Sequence, residues 1–131
     1  MADLFPEDVR RFIDGHVASV DQLELLRLLW EAPEAVWTGA DLAADLQTSP
    51  AEAVAQLTAL QRRGLLQVEA GGAEPLYRYG ARDAELDGLL RTTLQHYRER
   101  PVSMIKFVAA RAKDPLRSFA DAFRVRPPEG G

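Results

Sequence analysis

The sequence contains no cysteine, which excludes disulfide bonds, thiolate zinc sites and cysteine nucleophiles. It has only two histidines, His16 and His96, on separate predicted helices, and neither has a second metal ligand at the usual spacing. No apolar run approaches the roughly 20 residues that a membrane-spanning helix requires. The first residues also lack the basic segment and apolar stretch of a signal peptide. We therefore expect a cytoplasmic protein without a bound metal.

Motifs for catalysis are absent as well. Gly71 and Gly72 are not followed by the Gly-Lys-Ser/Thr of a phosphate-binding loop, so we interpret them as a hairpin tip. Asp41 and Asp45 lie four residues apart on one predicted helix, which favours a solvated acidic face over acid-base chemistry. The serines lie at predicted helix starts or on the surface. We therefore predict that the chain is not an enzyme and needs no cofactor.

The composition is that of one ordinary globular domain, with 131 residues, 47% apolar and 27% charged. The net charge of −4 argues against a protein that coats nucleic acid or membranes. The charge is unevenly distributed, because residues 1–61 hold three arginines and eleven acids, whereas residues 98–131 hold eight basic and four acidic residues. Such halves attract each other, within one chain or between two.

The apolar periodicity predicts a mainly helical chain with one hairpin. Ser19, Thr38, Ser49 and Asp83 have the residue types and positions of helix N-caps, and Gly64 has those of a C-terminal stop. The predicted helices cover residues 6–18, 19–32, 39–46, 50–63, 83–99 and 103–113, with a last helix from 114. The predicted strands cover residues 35–38, 65–70 and 75–81.

Apolar stripes on these helices predict the core. In helix 50–63 we expect Ala53, Val54, Leu57 and Leu60 to face inward, with Leu57 and Leu60 in one core with Trp30. Trp30 and Trp37 flank the first strand. They are either core residues or the walls of a ligand pocket.

The order of these elements resembles the winged helix-turn-helix superfamily, from Ser19 to the second strand of the hairpin. The resemblance is carried by Leu42-Ala43, Ser49-Pro50, Val54 with Leu57 and Leu60, and Gly64-Leu65. The flanking helices resemble those of MarR- or PadR-type bacterial regulators. The resemblance implies an N-terminal helix over residues 1–18, a winged domain over 19–81, a helical dimerisation extension over 82–126 and a flexible tail over 127–131.

The resemblance further implies a dimeric transcription regulator that inserts helix 50–63 into the major groove of duplex DNA. The two residues that precede the helix in sequence would then donate hydrogen bonds to phosphate, and two residues on the helix would contact base edges. Four arginines would bind the phosphate backbone. These residues are Thr48 and Ser49; Glu52 and Gln56; and Arg62, Arg63, Arg78 and Arg82. Gln56 suits adenine and Glu52 suits the cytosine amino group.

The charge of this segment opens an alternative. Residues 38–61 contain no lysine or arginine, and the wing tip carries a single charge, the carboxylate of Glu74. DNA affinity depends largely on cations that neutralise phosphates. A winged-helix adaptor that binds another protein is therefore the second hypothesis, and a negative surface over helix 50–63 and the wing would favour it.

Two apolar stripes after residue 83 predict a homodimer, because the winged domain alone does not need them. We expect them to face a second copy, and the alternatives for the later stripe are the chain's own core and a different protein. The interface residues predicted in this way are Leu86, Leu90, Leu94, Tyr97, Leu116, Phe119 and Phe123.

Overall fold

The structure is a computed structural model that describes residues 4–70 and 72–111. Within these ranges six helices and two strands follow one another along the chain. They are α1 (Glu7–His16), α2 (Val20–Glu31), α3 (Gly39–Leu46), α4 (Pro50–Arg62), β1 (Leu66–Ala70), β2 (Pro75–Tyr79), α5 (Ala84–Glu99) and α6 (Pro101–Arg111). No helix in these ranges is both long and apolar enough to cross a membrane.

The predicted N-caps are confirmed. Side-chain oxygens of Ser19, Thr38, Ser49 and Asp83 each accept a hydrogen bond from the backbone N–H three residues later, which satisfies a donor that the helix leaves free. Thr38 and Asp41 form a complete capping box, because the Asp41 side chain in turn accepts a hydrogen bond from the Thr38 N–H. These four caps set where α2, α3, α4 and α5 begin.

Helix α2 lies at the centre of the molecule and contacts α3, α4, α5, α6 and β2. One hydrophobic cluster contains residues from all eight elements, so α1 and the helices after the hairpin share the core of the winged domain. Leu57 and Leu60 are fully buried in it, as predicted, whereas Trp30 is partly buried and packs against its margin.

Val54 departs from the prediction, since 37% of it is exposed. It lies against the start of α3, since a Cβ atom built on Gly39 would lie 2.7 Å from its Cγ2. The two helices can approach because Gly39 has no side chain. Val54 therefore fills the crevice between α3 and α4 and is not part of the inner stripe.

The hairpin forms the wing. Strands β1 and β2 pair antiparallel, with Leu66 opposite Tyr79 and Val68 opposite Tyr77. Tyr77 and Tyr79 are buried and Arg78 is exposed, as their alternation predicts. The strand predicted over residues 35–38 is reduced to a bridge at Trp37, which exchanges backbone hydrogen bonds of 2.9 and 2.7 Å with Tyr77.

The apolar stripe of α5 lies in the core of this single chain. Leu86, Leu90, Leu94 and Tyr97 are at most 5% exposed, and α5 packs on α1, α2 and α6. In a chain folded this way they are covered by their own helices, so the expectation that they face a second copy does not fit. Leu116, Phe119 and Phe123, together with the predicted last helix and the tail, lie outside the described residues.

The helix-turn-helix of α3 and α4, followed by the hairpin and supported by α2, is a winged helix-turn-helix. The chain is mainly α-helical with a small β-hairpin wing, and it carries one helix before the winged domain and helices after it.

Candidate nucleic-acid interface

The turn between α3 and α4 holds the start of α4 at the surface. Gln47 adopts a left-handed conformation with φ of 58°, and the N–H of Thr48 donates to the carbonyl of Ala43 over 3.0 Å. Thr48 is half-buried and Ser49 is exposed. The Ser49 hydroxyl accepts the N–H of Glu52 over 3.1 Å, so its own proton remains free for a phosphate oxygen.

Glu52 and Gln56 are joined to each other and to the core. The Gln56 Nε2 donates to Glu52 Oε2 over 2.7 Å, and the Gln56 Oε1 accepts from Gln22 Nε2 over 2.8 Å. Reading adenine requires the donor and the acceptor of the same amide. Because its oxygen is bound to Gln22, Gln56 does not present that pair here.

Arg63 is directed inward. It is half-buried, and its Nη1 donates to the backbone oxygen of His16 and to Gln22 Oε1, both over 3.1 Å. These bonds connect the end of α4 to the α1–α2 junction. The guanidinium that the resemblance assigned to phosphate is thus engaged within the fold.

Arg82 is engaged in a similar way. Its Nη1 donates to the carbonyl of Arg63 over 2.8 Å, and its side chain lies across Gly64. Its Nε lies 3.4 Å from the carboxylate of Asp83. The side chain therefore satisfies a carbonyl at the end of α4, although part of it remains exposed.

Arg62 and Arg78 remain at the surface. Arg78 pairs with Glu69 across the hairpin over 3.2 Å, and both side chains are about half exposed, at 47% and 48%. Arg62 is exposed and has no hydrogen-bond or ion-pair partner among the described residues. Of the four predicted phosphate contacts, Arg62 is the most available, and Arg78 is available once it leaves an exposed ion pair of small stability.

The surface of the helix-turn-helix and the hairpin carries more negative than positive charge. Residues 39–79 contain three arginines, which are Arg62, Arg63 and Arg78. They contain five carboxylates, which are Asp41, Asp45, Glu52, Glu69 and Glu74. Since Arg63 is directed inward and Arg78 is paired with Glu69, the unpaired surface charge is dominated by carboxylates. The α3 side of the surface has no cation at all.

Both tryptophans line clefts. Trp37 borders a cleft of about 490 Å³ with Ala40, Ala44 and Asp45, and its buried indole Nε1 has no acceptor among the described residues. Trp30 borders a cleft of about 600 Å³, and the guanidinium of Arg98 lies 4.8 Å from its ring centroid. Each tryptophan thus packs against the core and also lines a cleft.

The two histidines have packing partners. His16 stacks on Phe12 at 4.7 Å, and its Nδ1 lies 3.0 Å from the Phe12 carbonyl oxygen. His96 meets the ring of Phe5 edge-on at 5.8 Å. Across residues 4–70 and 72–111, no group of three His, Asp or Glu side chains is arranged to hold a metal ion.

Gln22 is the residue of this region that the sequence did not reveal. It lies three residues after the Ser19 N-cap, the position from which a glutamine can accept the N–H of the cap residue, but its Oε1 accepts the N–H of Ala18 over 2.9 Å. It is only 4% exposed, which is unusual for an amide side chain. The available signal was its position beside Leu23 and Leu26 on the apolar face of α2.

No protein-family model matches this chain. No curated protein matches it either. Among solved structures, a cysteine-to-serine mutant of Lactococcus lactis ZitR is 19% identical, with a TM-score of 0.50 over 83% of this chain and 72% of that one. A double mutant of the same protein is 21% identical, with a TM-score of 0.49 over 82% and 70% of the two chains. At these identities the first likeness shows a shared fold, and its coverage of most of both chains agrees with the winged helix-turn-helix described above.

Proposed function

We propose that this chain is a non-catalytic transcription regulator that binds duplex DNA through α4, with the hairpin as its wing. The observation that carries the proposal is the exposed first half of α4, which follows a tight turn and is capped by Ser49. This is the element that winged-helix regulators insert into the major groove. DNA binding would place the protein in the cytoplasm, in a bacterial cell of the kind that the MarR/PadR resemblance implies.

The available groups divide into two roles. Glu52 and the outer N–H of Gln56 face outward as base contacts, whereas Ser49, Arg62 and Arg78 are placed for phosphates. Few cations mean few neutralised phosphates, so binding to random DNA would be weak. Sequence discrimination would then depend mainly on the contacts of α4 to bases.

A homodimer belongs to the same proposal, since two copies present two reading helices to successive turns of DNA. The exposed face of α6 is a better candidate for the contact than α5. Val102, Ile105 and Ala109 follow one another at helical spacing there and are exposed.

The test is fluorescence anisotropy on pooled genomic fragments across a salt series from about 50 to 200 mM. We expect binding that weakens with salt. Arg62→Ala and Arg78→Ala should each weaken binding on all fragments and flatten the salt dependence by about one unit. Arg11→Ala removes an exposed arginine from α1 and serves as the matched control, for which the slope should not change.

A protein-docking module is the second candidate, and the excess of carboxylates on the helix-turn-helix surface favours it. Such a surface fits a basic partner. If the wild type shows no DNA binding even at about 50 mM salt, and a captured protein is lost on changing Glu52, the docking function replaces the regulator. If instead Glu52→Gln raises the affinity for random DNA, the carboxylate lies near phosphates and the regulator is supported.

A further inference from the structure

We infer that Gln22, buried beneath α4, fixes the direction of the Gln56 side-chain amide and so sets the hydrogen-bonding pattern on the outer surface of α4. The orientation of the two amides follows from contacts within the fold. What this orientation means for base reading rests on the proposed function.

The orientation of the Gln22 amide follows from its neighbours. One of its terminal atoms lies 2.9 Å from the backbone N of Ala18 and 3.1 Å from the Nη1 of Arg63. Both of these groups are donors that cannot accept, so the atom between them has to be the carbonyl oxygen. The other terminal atom is then the nitrogen. Because Gln22 is 4% exposed, water does not offer it an alternative partner.

The orientation of Gln56 follows in turn. The Gln22 nitrogen is a donor, so the Gln56 atom 2.8 Å away has to be an oxygen. The Gln56 nitrogen therefore points away from the core, to the carboxylate of Glu52 at 2.7 Å. A carboxylate accepts only, which agrees with this direction. Reversing Gln56 alone would place two donors face to face at Gln22 and two acceptors face to face at Glu52.

The result is a fixed pattern at the surface of α4. The amide of Gln56 offers outward one N–H that is not used by Glu52, and Glu52 offers carboxylate oxygens. A lone donor suits the acceptors of guanine or the O4 of thymine, whereas a carboxylate suits the amino group of cytosine or adenine. The two-point adenine contact of a free glutamine is excluded while Gln22 holds the oxygen. Gln22 is thus a positioning residue that acts on bases through Gln56.

The substitution Gln22→Glu reverses the pattern without changing the size of the side chain. A carboxylate at this position still accepts from Ala18 and Arg63, but its second oxygen accepts where the amide nitrogen donated. Gln56 then rotates its amide so that the nitrogen faces the buried carboxylate and the oxygen faces outward, and the exposed side chain of Glu52 turns away to solvent. The exposed Gln61→Glu on α4 adds the same charge and serves as the control.

The measurement is hydrogen exchange of the side-chain amides, by NMR on protein labelled at glutamine nitrogen, at a pH near 7. In the wild type we expect slow exchange for Gln22 and fast exchange for Gln56, because only the first amide group is shielded from water. In Gln22→Glu the Gln56 amide should become slower by about tenfold or more, and Gln61→Glu should leave it unchanged. A fast Gln22 amide in the wild type, or an unchanged Gln56 amide in Gln22→Glu, overturns the inference. The wild-type result decides even if the variant does not fold.

A DNA-binding measurement on the same two variants tests the consequence for base reading. It uses the genomic fragments that the wild type binds in the anisotropy experiment. For two fragments that differ at one base pair, we expect Gln22→Glu to change the ratio of their affinities roughly three- to tenfold, the effect of one hydrogen bond. Gln61→Glu should leave that ratio unchanged. Altered amide exchange without any change in the ratio would remove the role of Gln22 in base reading. If no form binds DNA, the proposed function fails, and the exchange measurement still decides on Gln22.

Discussion

At the scale of single residues, Arg62 and Arg63 are neighbours in sequence with opposite surroundings. Arg62 points to solvent, whereas Arg63 satisfies a backbone carbonyl and the oxygen of Gln22. The two therefore differ in what their removal leaves behind. Without Arg63, two acceptors lose a charged donor, one of them on a buried side chain.

We predict that Arg63→Ala lowers the free energy of unfolding by about 1–3 kcal/mol, the cost of leaving such groups without partners. Arg62→Ala should change it by less than about 0.5 kcal/mol, as is usual for surface positions. Urea denaturation of both variants measures the difference. Equal losses would mean that the inward bonds of Arg63 contribute nothing.

This pair also shows what the sequence could not provide. Helical periodicity leaves Glu52, Gln56 and Arg62 outside the predicted inner stripe of α4, and each lies at or near the surface. Periodicity gives the direction of a side chain but not its partner, because partners come from other elements. The bonds from Gln22 to Gln56 and Arg63 join positions that are distant in sequence, and they became visible only in the folded chain.

A second residue-scale feature is the carboxylate of Asp87. Burial raises its pKa, but hydrogen bonds from Arg91 and Tyr79, each 2.7 Å long, outweigh burial and bring the pKa below its usual value. Burial, followed by the bond to Asp87, raises the pKa of Tyr79, so the phenol keeps its proton and remains a donor. A depressed carboxylate pKa stabilises the fold above the unfolded pKa, and this stabilisation is lost as pH falls through the folded value.

We therefore predict that Asp87→Asn lowers the free energy of unfolding by about 1–2 kcal/mol at pH 7, and that this loss shrinks below about pH 4. There the wild-type carboxylate is itself becoming protonated. Denaturation at several pH values tests the prediction. Asp45→Asn, which removes an exposed carboxylate, is the control. A loss that stays constant down to about pH 2.5 would contradict the assignment.

At the scale of elements, the end of α4 depends on Gly64. Its φ of +80° is left-handed, and a Cβ atom there would lie 2.5 Å from the Nη1 of Arg82. The N–H of Leu65 returns to the carbonyl of Leu60 over 3.1 Å and closes the helix. The geometry that turns the chain from α4 into β1 thus requires a residue without a side chain.

We predict that Gly64→Ala destabilises the protein by about 1–2 kcal/mol through the left-handed backbone alone. Gly88→Ala in α5 should have the opposite sign and stabilise by about 0.5–1 kcal/mol, because that glycine is helical and nothing lies near its Cβ position. Thermal or urea unfolding of the two variants gives the comparison. A stabilised Gly64→Ala would show that α4 ends differently.

The features that depend on residues close together in sequence were predictable. Four caps, the stop at Gly64 and the alternation of Tyr77, Arg78 and Tyr79 all appear as the sequence indicated. The strand over residues 35–38 was predicted too long. Its length depends on how many of its residues pair with β2, and only Trp37 does so. Val54 was misplaced because its surroundings depend on the missing side chain of Gly39, on another helix.

In the whole molecule, the apolar stripe of α5 is buried by other helices of the same chain. An apolar stripe predicts that one face of a helix is buried, but it does not identify the element that buries it. Here α1 and α2 cover α5, and of the two described helices after the hairpin it is α6 that carries exposed large apolar side chains, with Val102 at 65% exposure and Ile105 at 36%. The described part of α6 ends at Arg111, whose guanidinium binds both carboxylate oxygens of Asp14 on α1.

We predict that the protein has a solution mass of twice 14.5 kDa by light scattering, and that Ile105→Lys shifts it towards 14.5 kDa. A lysine in an apolar contact would be buried without a partner, which disfavours association. Gln95→Lys, at an exposed position of α5, should leave the mass unchanged. A wild-type mass of 14.5 kDa at a protein concentration used for DNA binding would exclude the dimer under those conditions.

The stretch without cations that covers α3 and most of α4 has a practical consequence. Trypsin cleaves only after lysine or arginine, and between Arg27 and Arg62 the chain offers it neither residue. A complete digest therefore releases the end of α2, the turn and the whole outer face of α4 as one peptide, residues 28–62. A photocross-link to Ser49, Glu52 or Gln56 adds to that single peptide either the mass of an oligonucleotide or the mass of one tryptic peptide of a partner protein. One mass spectrum can thus report what this surface binds.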